Sequence, residues 1–196
     1  MKQNTLKITP IQVYKKLHKK FGPQNWWPMD HSHHQNNNTD PRFEVMIGAI
    51  LTQNTAWTNV EKAIKKMKEK NLLNIDQLSS IDDHIIKSSI RSSGYYNQKA
   101  KRLQELSKYL KHQYNSDLNV FFNKSIPTLR KELLDLHGIG PETADSIILY
   151  AANKAVFVVD AYTKRLCKRL PFPIHSLNYD DIQTFFQDHL KHQFSI

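Results

Sequence analysis

The chain has 196 residues, with 28 lysines and arginines against 18 aspartates and glutamates, a net charge of +10. That length accommodates one large or two small domains with a real core, and the charge favours a polyanionic partner, because each neutralised phosphate releases counterions. The single cysteine, Cys167, excludes an internal disulfide and a clustered-thiolate metal site.

Met1-Lys2-Gln3-Asn4-Thr5 is followed by no long apolar run. Neither a secretory signal nor a membrane span is expected, and the protein is read as cytoplasmic, near the nucleoid. Pro10 to Phe21 predicts an amphipathic helix with Ile11, Tyr14, Leu17 and His18 on one side. Gly22 to Pro41 is expected to be a loop, with a polar, low-complexity run from His31 to Asn38. Asp40-Pro41 is a cap and first-turn proline for a helix from Arg42 to Leu51, apolar on most faces and so central. Thr55 is placed as the cap of the next helix, to Lys70, whose lysines (Lys62, Lys65, Lys66, Lys68, Lys70) form a mostly solvated face. Asp82 starts a short helix ending near Ile90, Asn97 to Tyr114 is helical, and Ser125 caps a helix with Pro127 in its first turn. Pro141 to Ala152, Asp160 to Leu170 and Asn178 to Leu190 complete the helices. Val156-Phe157-Val158-Val159 has strand composition but no partner strands, which predicts a buried extended link. The fold is therefore expected to be all-α.

The segment with most chemistry is Leu136-His137-Gly138-Ile139-Gly140-Pro141-Glu142-Thr143-Ala144. It predicts a helix, a glycine hairpin and a second helix opening on Pro141. Glycines expose backbone N–H groups, and a helix start behind them is a phosphate site that positions DNA without reading bases. Asp160 follows at another helix start. Its plain role is an N-cap. The same geometry favours an ionised carboxylate able to stabilise a cationic sugar and orient water.

Leu136–Ala144 together with Val158-Val159-Asp160-Ala161-Tyr162 resembles the helix-hairpin-helix DNA glycosylase superfamily, the endonuclease III-like one. Leu51-Thr52-Gln53-Asn54-Thr55 looks like the family loop that wedges into DNA, and Gly94-Tyr95-Tyr96-Asn97-Gln98-Lys99-Ala100 like the loop that probes the opposite strand. The resemblance covers about Trp26 to Leu170. It implies a catalytic Asp160, base flipping and a cleft for DNA and base between two helical domains. These are a six-helix barrel at 42–153 and a smaller domain from 1–41 and 154–196. Double-stranded DNA with a damaged base is the implied partner of a monomer, contacted by Gln53, Asn54, Tyr96, Asn97, His137, Gly138, Ile139, Gly140, Glu142 and Thr143.

Lyase members attack the sugar with a lysine at the position of Glu142. A carboxylate cannot form that imine, so the resemblance points to a monofunctional glycosylase. Lys154 and Lys164 do not fall at the family position. Trp26-Trp27-Pro28 and Trp57 look like the 3-methyladenine DNA glycosylase branch and are implied to shape the base pocket, although tryptophans also bury as plain core. A cationic alkylated purine over an aromatic face gains about 0.5–2 kcal/mol. No iron–sulfur cysteines are present and no cofactor is expected, although the resemblance allows a monovalent cation on hairpin carbonyls. His31, His33 and His34 are read as solvated loop residues and not metal ligands. The branch continues past Phe194-Ser195-Ile196 with more helix, so the chain looks shortened, with an apolar face expected to open around Phe185, Phe186 and Leu190. A bifunctional glycosylase/lyase and an inactive DNA-binding module stay open as alternatives.

Overall fold

A computed structural model describes residues 8–174 and 178–190. The first residues, read as lacking a signal, and the last, 194–196, lie outside them. The described residues form twelve α-helices, a short 3-10 turn and no strand. The chain divides into two compact units, Trp27–Lys154 and Met1–Trp26 with Ala155–Ile196.

The larger unit is built around α3 (Pro41–Leu51), in which every residue from Phe43 to Leu51 is buried. Its start is set as the sequence predicts, by Asp40 accepting from the Arg42 amide ahead of Pro41. A helix apolar on most faces has no side to offer water, and burial of each large side chain contributes about 1.5–3 kcal/mol. Around it run α4 (Trp57–Glu69), α5 (Ile75–Ser80), α6 (Asp83–Ile90), α7 (Tyr96–Tyr114), α8 (Leu118–Phe122), α9 (Ile126–Leu134) and α10 (Pro141–Tyr150). Helix α7 packs on α3, α5, α6 and α8, and α10 on α3 and α9. Asp145, fully buried on α10, takes hydrogen bonds from Arg130 Nε at 2.8 Å and Nη2 at 3.3 Å on α9, joining the two hairpin helices. Removing one member of such a pair costs about 3–5 kcal/mol. The sequence pattern passed over α5 and α8, each too short to show a period. Helix α4 starts at Trp57 behind an uncapped Ala56, while Thr55 instead accepts from the Asn59 side chain at 3.2 Å.

The expected loop from Gly22 to Pro41 contains a helix, α2 (His31–Asn37). Asp30 caps it, accepting from the His33 amide, and Asn38 ends it in the left-handed region. Hydrogen bonds from Ser32 and His33 hold the Asp30 carboxyl at about 2. His34 is not a solvated loop residue. It is buried, bonded through Nε2 to Glu44 Oε2 at 2.7 Å and through Nδ1 to Thr39 at 2.8 Å. Lys68 is not part of the solvated lysine face either: its Nζ lies 3.2 Å from Glu44 Oε2 and 3.5 Å from Asp30. A buried carboxylate needs such partners. These bonds explain why the larger unit begins at Trp27 and not at Arg42.

In the smaller unit, α1 (Pro10–Phe21) opens on a Thr9–Gln12 capping box and packs against α12 (Tyr179–Leu190). Ile11 and Val13 meet a core of Val159, Cys167, Phe172, Ile182, Phe186 and Leu190. Tyr14 and Leu17, expected on the Ile11 side, are 46 % and 48 % exposed. Phe186 and Leu190 are 4 % exposed and belong to this core, with Phe185 packed against it, so no apolar face opens there. Cys167 is an inert residue of α11 (Ala161–Arg169), its thiol pushed up by burial.

Gly48 marks the tightest contact of the larger unit. A Cβ there would stand 2.7 Å from Trp27 Cζ2. Alanine raises helix propensity by about 1 kcal/mol over glycine, but overpacking costs about 1–3 kcal/mol. Gly48→Ala is therefore expected to lower the urea midpoint, with a shifted tryptophan emission as the sign that Trp27 has moved.

Candidate nucleic-acid interface and active site

The hairpin links α9 to α10 through Asp135 to Gly140. Of its two glycines only Gly138, at φ +81°, needs the left-handed region. Gly140, at φ −94°, is the N-cap of α10. Gly140 supplies no side-chain cap and Pro141 no N–H, so the helix start faces outward with its positive dipole end uncapped. Buried Ile139 anchors the turn, and its amide donates to Leu136 O at 3.1 Å. His137, Gly140 and Glu142 are exposed, whereas Thr143 is buried and its hydroxyl accepts from Gln53. The Gly138 carbonyl also accepts from Gln53. A cation shared among these neutral carbonyls would steady the turn and supply no chemistry of its own.

The two flanking loops meet at one buried cation that sequence reasoning missed. Lys99, 1 % exposed on α7, donates to Leu51 O at 2.8 Å and to Ser93 O at 2.7 Å. Leu51 is the last residue of α3, and its carbonyl has no partner within the helix. Ser93 precedes Gly94, which turns at φ +69°. Burial, reinforced by nearby Arg102, pushes the Lys99 ammonium down from 10.5 to about 8. The sequence signal was its place on the buried stripe of α7 with Ala100, Leu103, Leu106 and Leu110.

Gln53 and Asn54 are brought to the loop after α3 but differ in state. Gln53 is bonded to the hairpin; Asn54 is exposed at φ +54°. In the second loop Asn97 is exposed, while Tyr96 is half-buried with the Arg91 guanidinium over its ring at 5.7 Å. The prominent residue there is Tyr95, 65 % exposed at φ +46°, which the sequence reading passed over.

Trp27 and Trp57 meet edge to face at 5.2 Å, and Tyr150, also missed, lies 5.5 Å from Trp27. Pro28 and Trp57 line a pocket of about 330 Å³ with Glu44, Glu61 and Lys68. Trp26 belongs to the other unit and is 44 % exposed.

In the smaller unit the segment before Asp160 is extended, not a strand. Helix α12 holds it: the Phe157 amide donates to Gln187, Gln183 donates to Phe157 O, and the Val159 amide donates to Tyr179 Oη. Phe157 stacks on Phe186 at 4.5 Å. Asp160 caps α11, with Oδ1 accepting from the Thr163 amide at 2.7 Å and hydroxyl at 2.8 Å. Among the described residues Oδ2 has no hydrogen bond. One oxygen is fixed; the other is available.

The profile of the HhH-GPD superfamily of base excision DNA repair proteins matches residues 47–191. The chain belongs to that superfamily. It is a DNA repair glycosylase. A Methanocaldococcus jannaschii protein named as a DNA repair glycosylase is 41 % identical over 197 residues, all of this chain and 84 % of that one. Endonuclease III of Thermotoga maritima is 33 % identical over 132 residues, 67 % of this chain and 57 % of that one. The structure of the H. pylori 3-methyladenine DNA glycosylase bound to 1,N6-ethenoadenine is similar at a TM-score of 0.78 and 33 % identity, over 95 % of this chain and 84 % of that one. Like the glycosylases it resembles, the chain is all-α, and no helix among the described residues is long and apolar enough to cross a membrane.

Lys99 gives this glycosylase a pH signature. Below about pH 8 the native state carries the whole cost of burying the ammonium. Between about 8 and 10.5 the unfolded chain keeps a proton that the folded one has released, so stability rises with pH. Lys99→Met removes that rise and leaves two carbonyls without their donor, at about 1–3 kcal/mol each. Urea unfolding of both proteins at neutral and alkaline pH should show the gap between them widen across that window.

Proposed function

We propose that this glycosylase is monofunctional and releases alkylated purines such as 3-methyladenine by hydrolysis. The observation that carries the reading is Glu142, exposed in the first turn of α10, where a lyase of this superfamily would present an amine. Lysines with depressed pKa values are the usual imine-forming nucleophiles. Lys99 is the lysine of that kind among the described residues, but it is buried and both its bonds go to backbone carbonyls. It cannot reach a sugar carbon.

The uncapped start of α10, behind the exposed Gly140, holds phosphate. Asn54 after α3 and Asn97 in the first turn of α7 fill the gap left by the flipped nucleotide; extrusion costs a few kcal/mol, least for weakly paired damage. The aromatic group of Trp27, Trp57 and Tyr150, with Pro28 beside Trp57 in the pocket, selects a base by charge, since a cation over a ring gains about 0.5–2 kcal/mol. The likeness to the H. pylori enzyme supports that substrate class. A cationic purine is already a good leaving group. Asp160 then has two tasks. Its open Oδ2 stabilises the developing oxocarbenium ion, and it orients water onto the anomeric carbon.

DNA methylated in vitro should release 3-methyladenine with the wild-type protein, with strands intact until alkali is added. Asp160→Asn should lower the single-turnover rate at least about a hundredfold. Borohydride should trap no protein–DNA adduct. A trapped adduct would establish the endonuclease III-like lyase instead. Binding to abasic DNA without base release from methylated DNA would overturn the alkylated-purine reading, leaving a different damaged base or an inactive DNA-binding module.

A further inference from the structure

Gln53 resembles a residue that enters DNA, yet its amide is engaged at both ends. Nε2 donates to Gly138 O and to Thr143 Oγ1, each at 3.0 Å, and Oε1 accepts from Arg102 Nη1 at 2.5 Å. Arg102 lies across the hairpin so closely that a Cβ on Gly138 would stand 2.0 Å from its Nε. Gly138 therefore serves two ends: its left-handed backbone makes the turn, and its bare Cα admits the arginine. Withdrawing Gln53 would break three hydrogen bonds and strip a donor from a part-buried carbonyl. Asn54, the next residue, is exposed, left-handed, and makes no side-chain hydrogen bond among the described residues.

We propose that Arg102 is a positioning residue: it holds Gln53 as a strut between the loop after α3 and the hairpin, so that phosphate capture by the hairpin sets the depth at which Asn54 enters the duplex. Arginine suits the task because its guanidinium is permanently charged and planar, and its charged bond to Gln53 Oε1 polarises the amide toward Gly138 and Thr143. The loop tip and the phosphate grip then move as one body. Gln53 is a brace, and Asn54 is the wedge. The inference rests on the hairpin and loop contacting DNA and is independent of which damaged base is removed.

The test is a duplex with a tetrahydrofuran abasic-site analogue and 2-aminopurine opposite it, where gap filling unstacks the fluorophore and raises its emission. Arg102→Met should bind within about threefold of wild type, since phosphate contacts survive, yet lose at least about half of the emission rise. Arg102→Lys, which keeps a donor, should restore it. Gln53→Met should match Arg102→Met, the double variant should be no worse than either, and Asn54→Ala should abolish the rise with affinity kept. Four results would overturn the proposal. An unchanged emission rise in Arg102→Met shows no coupling. Additive single variants show independent roles. Parallel loss of affinity and emission with no rescue by lysine shows a merely structural arginine. Failure of the wild type to bind this duplex shows that the hairpin does not grip DNA. Wild-type binding and emission without base release from methylated DNA overturns only the alkylated-purine reading.

Discussion

The larger unit depends on one buried ammonium. Two segments that must sit side by side, the end of the central helix and the turn before Gly94, each finish on a backbone carbonyl that water cannot reach. Neither can satisfy the other, because both are acceptors. Lys99 supplies donors to both from a single atom, at the cost of taking a charge out of water. A neutral hydrogen-bonding side chain long enough to reach both carbonyls is rare; lysine has the reach and three donors. The burial cost appears as the lowered proton affinity, and it is offset by order in two loops that carry Asn54 and Tyr95 at their tips. One turn further along α7, Arg102 extends the arrangement to the hairpin.

Much of this was legible in the sequence because the signals are local. Caps at Asp40, Asp82, Ser125 and Asp160 were readable from residue type followed by a periodic run, and the structure uses each of them. The hairpin was readable because glycine, proline and a helix start occur together. The two glycines, however, look alike on paper and differ by 175° in φ, +81° against −94°. Only the packing of Arg102 against one of them tells them apart. The extended link before Asp160 was inferred from the lack of partner strands. What holds it, Gln183, Gln187 and Tyr179, lies twenty to thirty residues away, a separation that no periodicity records.

The histidine run shows the opposite failure. Composition made it a solvated loop, since the run is polar and low in complexity and asparagine and serine favour turns. Two facts outside that window reversed the outcome: Asp30 caps it, and Glu44 waits on the central helix with a carboxylate that needs a partner. Burial of His34 follows from Glu44's need and not from its own preference. Trp27 is similar. Its place is made by an absence, the missing side chain of Gly48, which a reader of sequence sees only as a weak helix residue.

Asp160 joins two demands on one side chain. The oxygen that starts α11 and the oxygen left open belong to the same carboxylate, so under the proposed mechanism the helix also aims the group that acts on DNA. Asparagine caps a helix as well as aspartate does. Under the proposed mechanism, exchanging the two silences one oxygen and keeps the other at work, so the altered protein folds and melts like the original. On that mechanism a single step separates chemistry from stability, and a protein so altered is a tool for holding a substrate that it no longer converts.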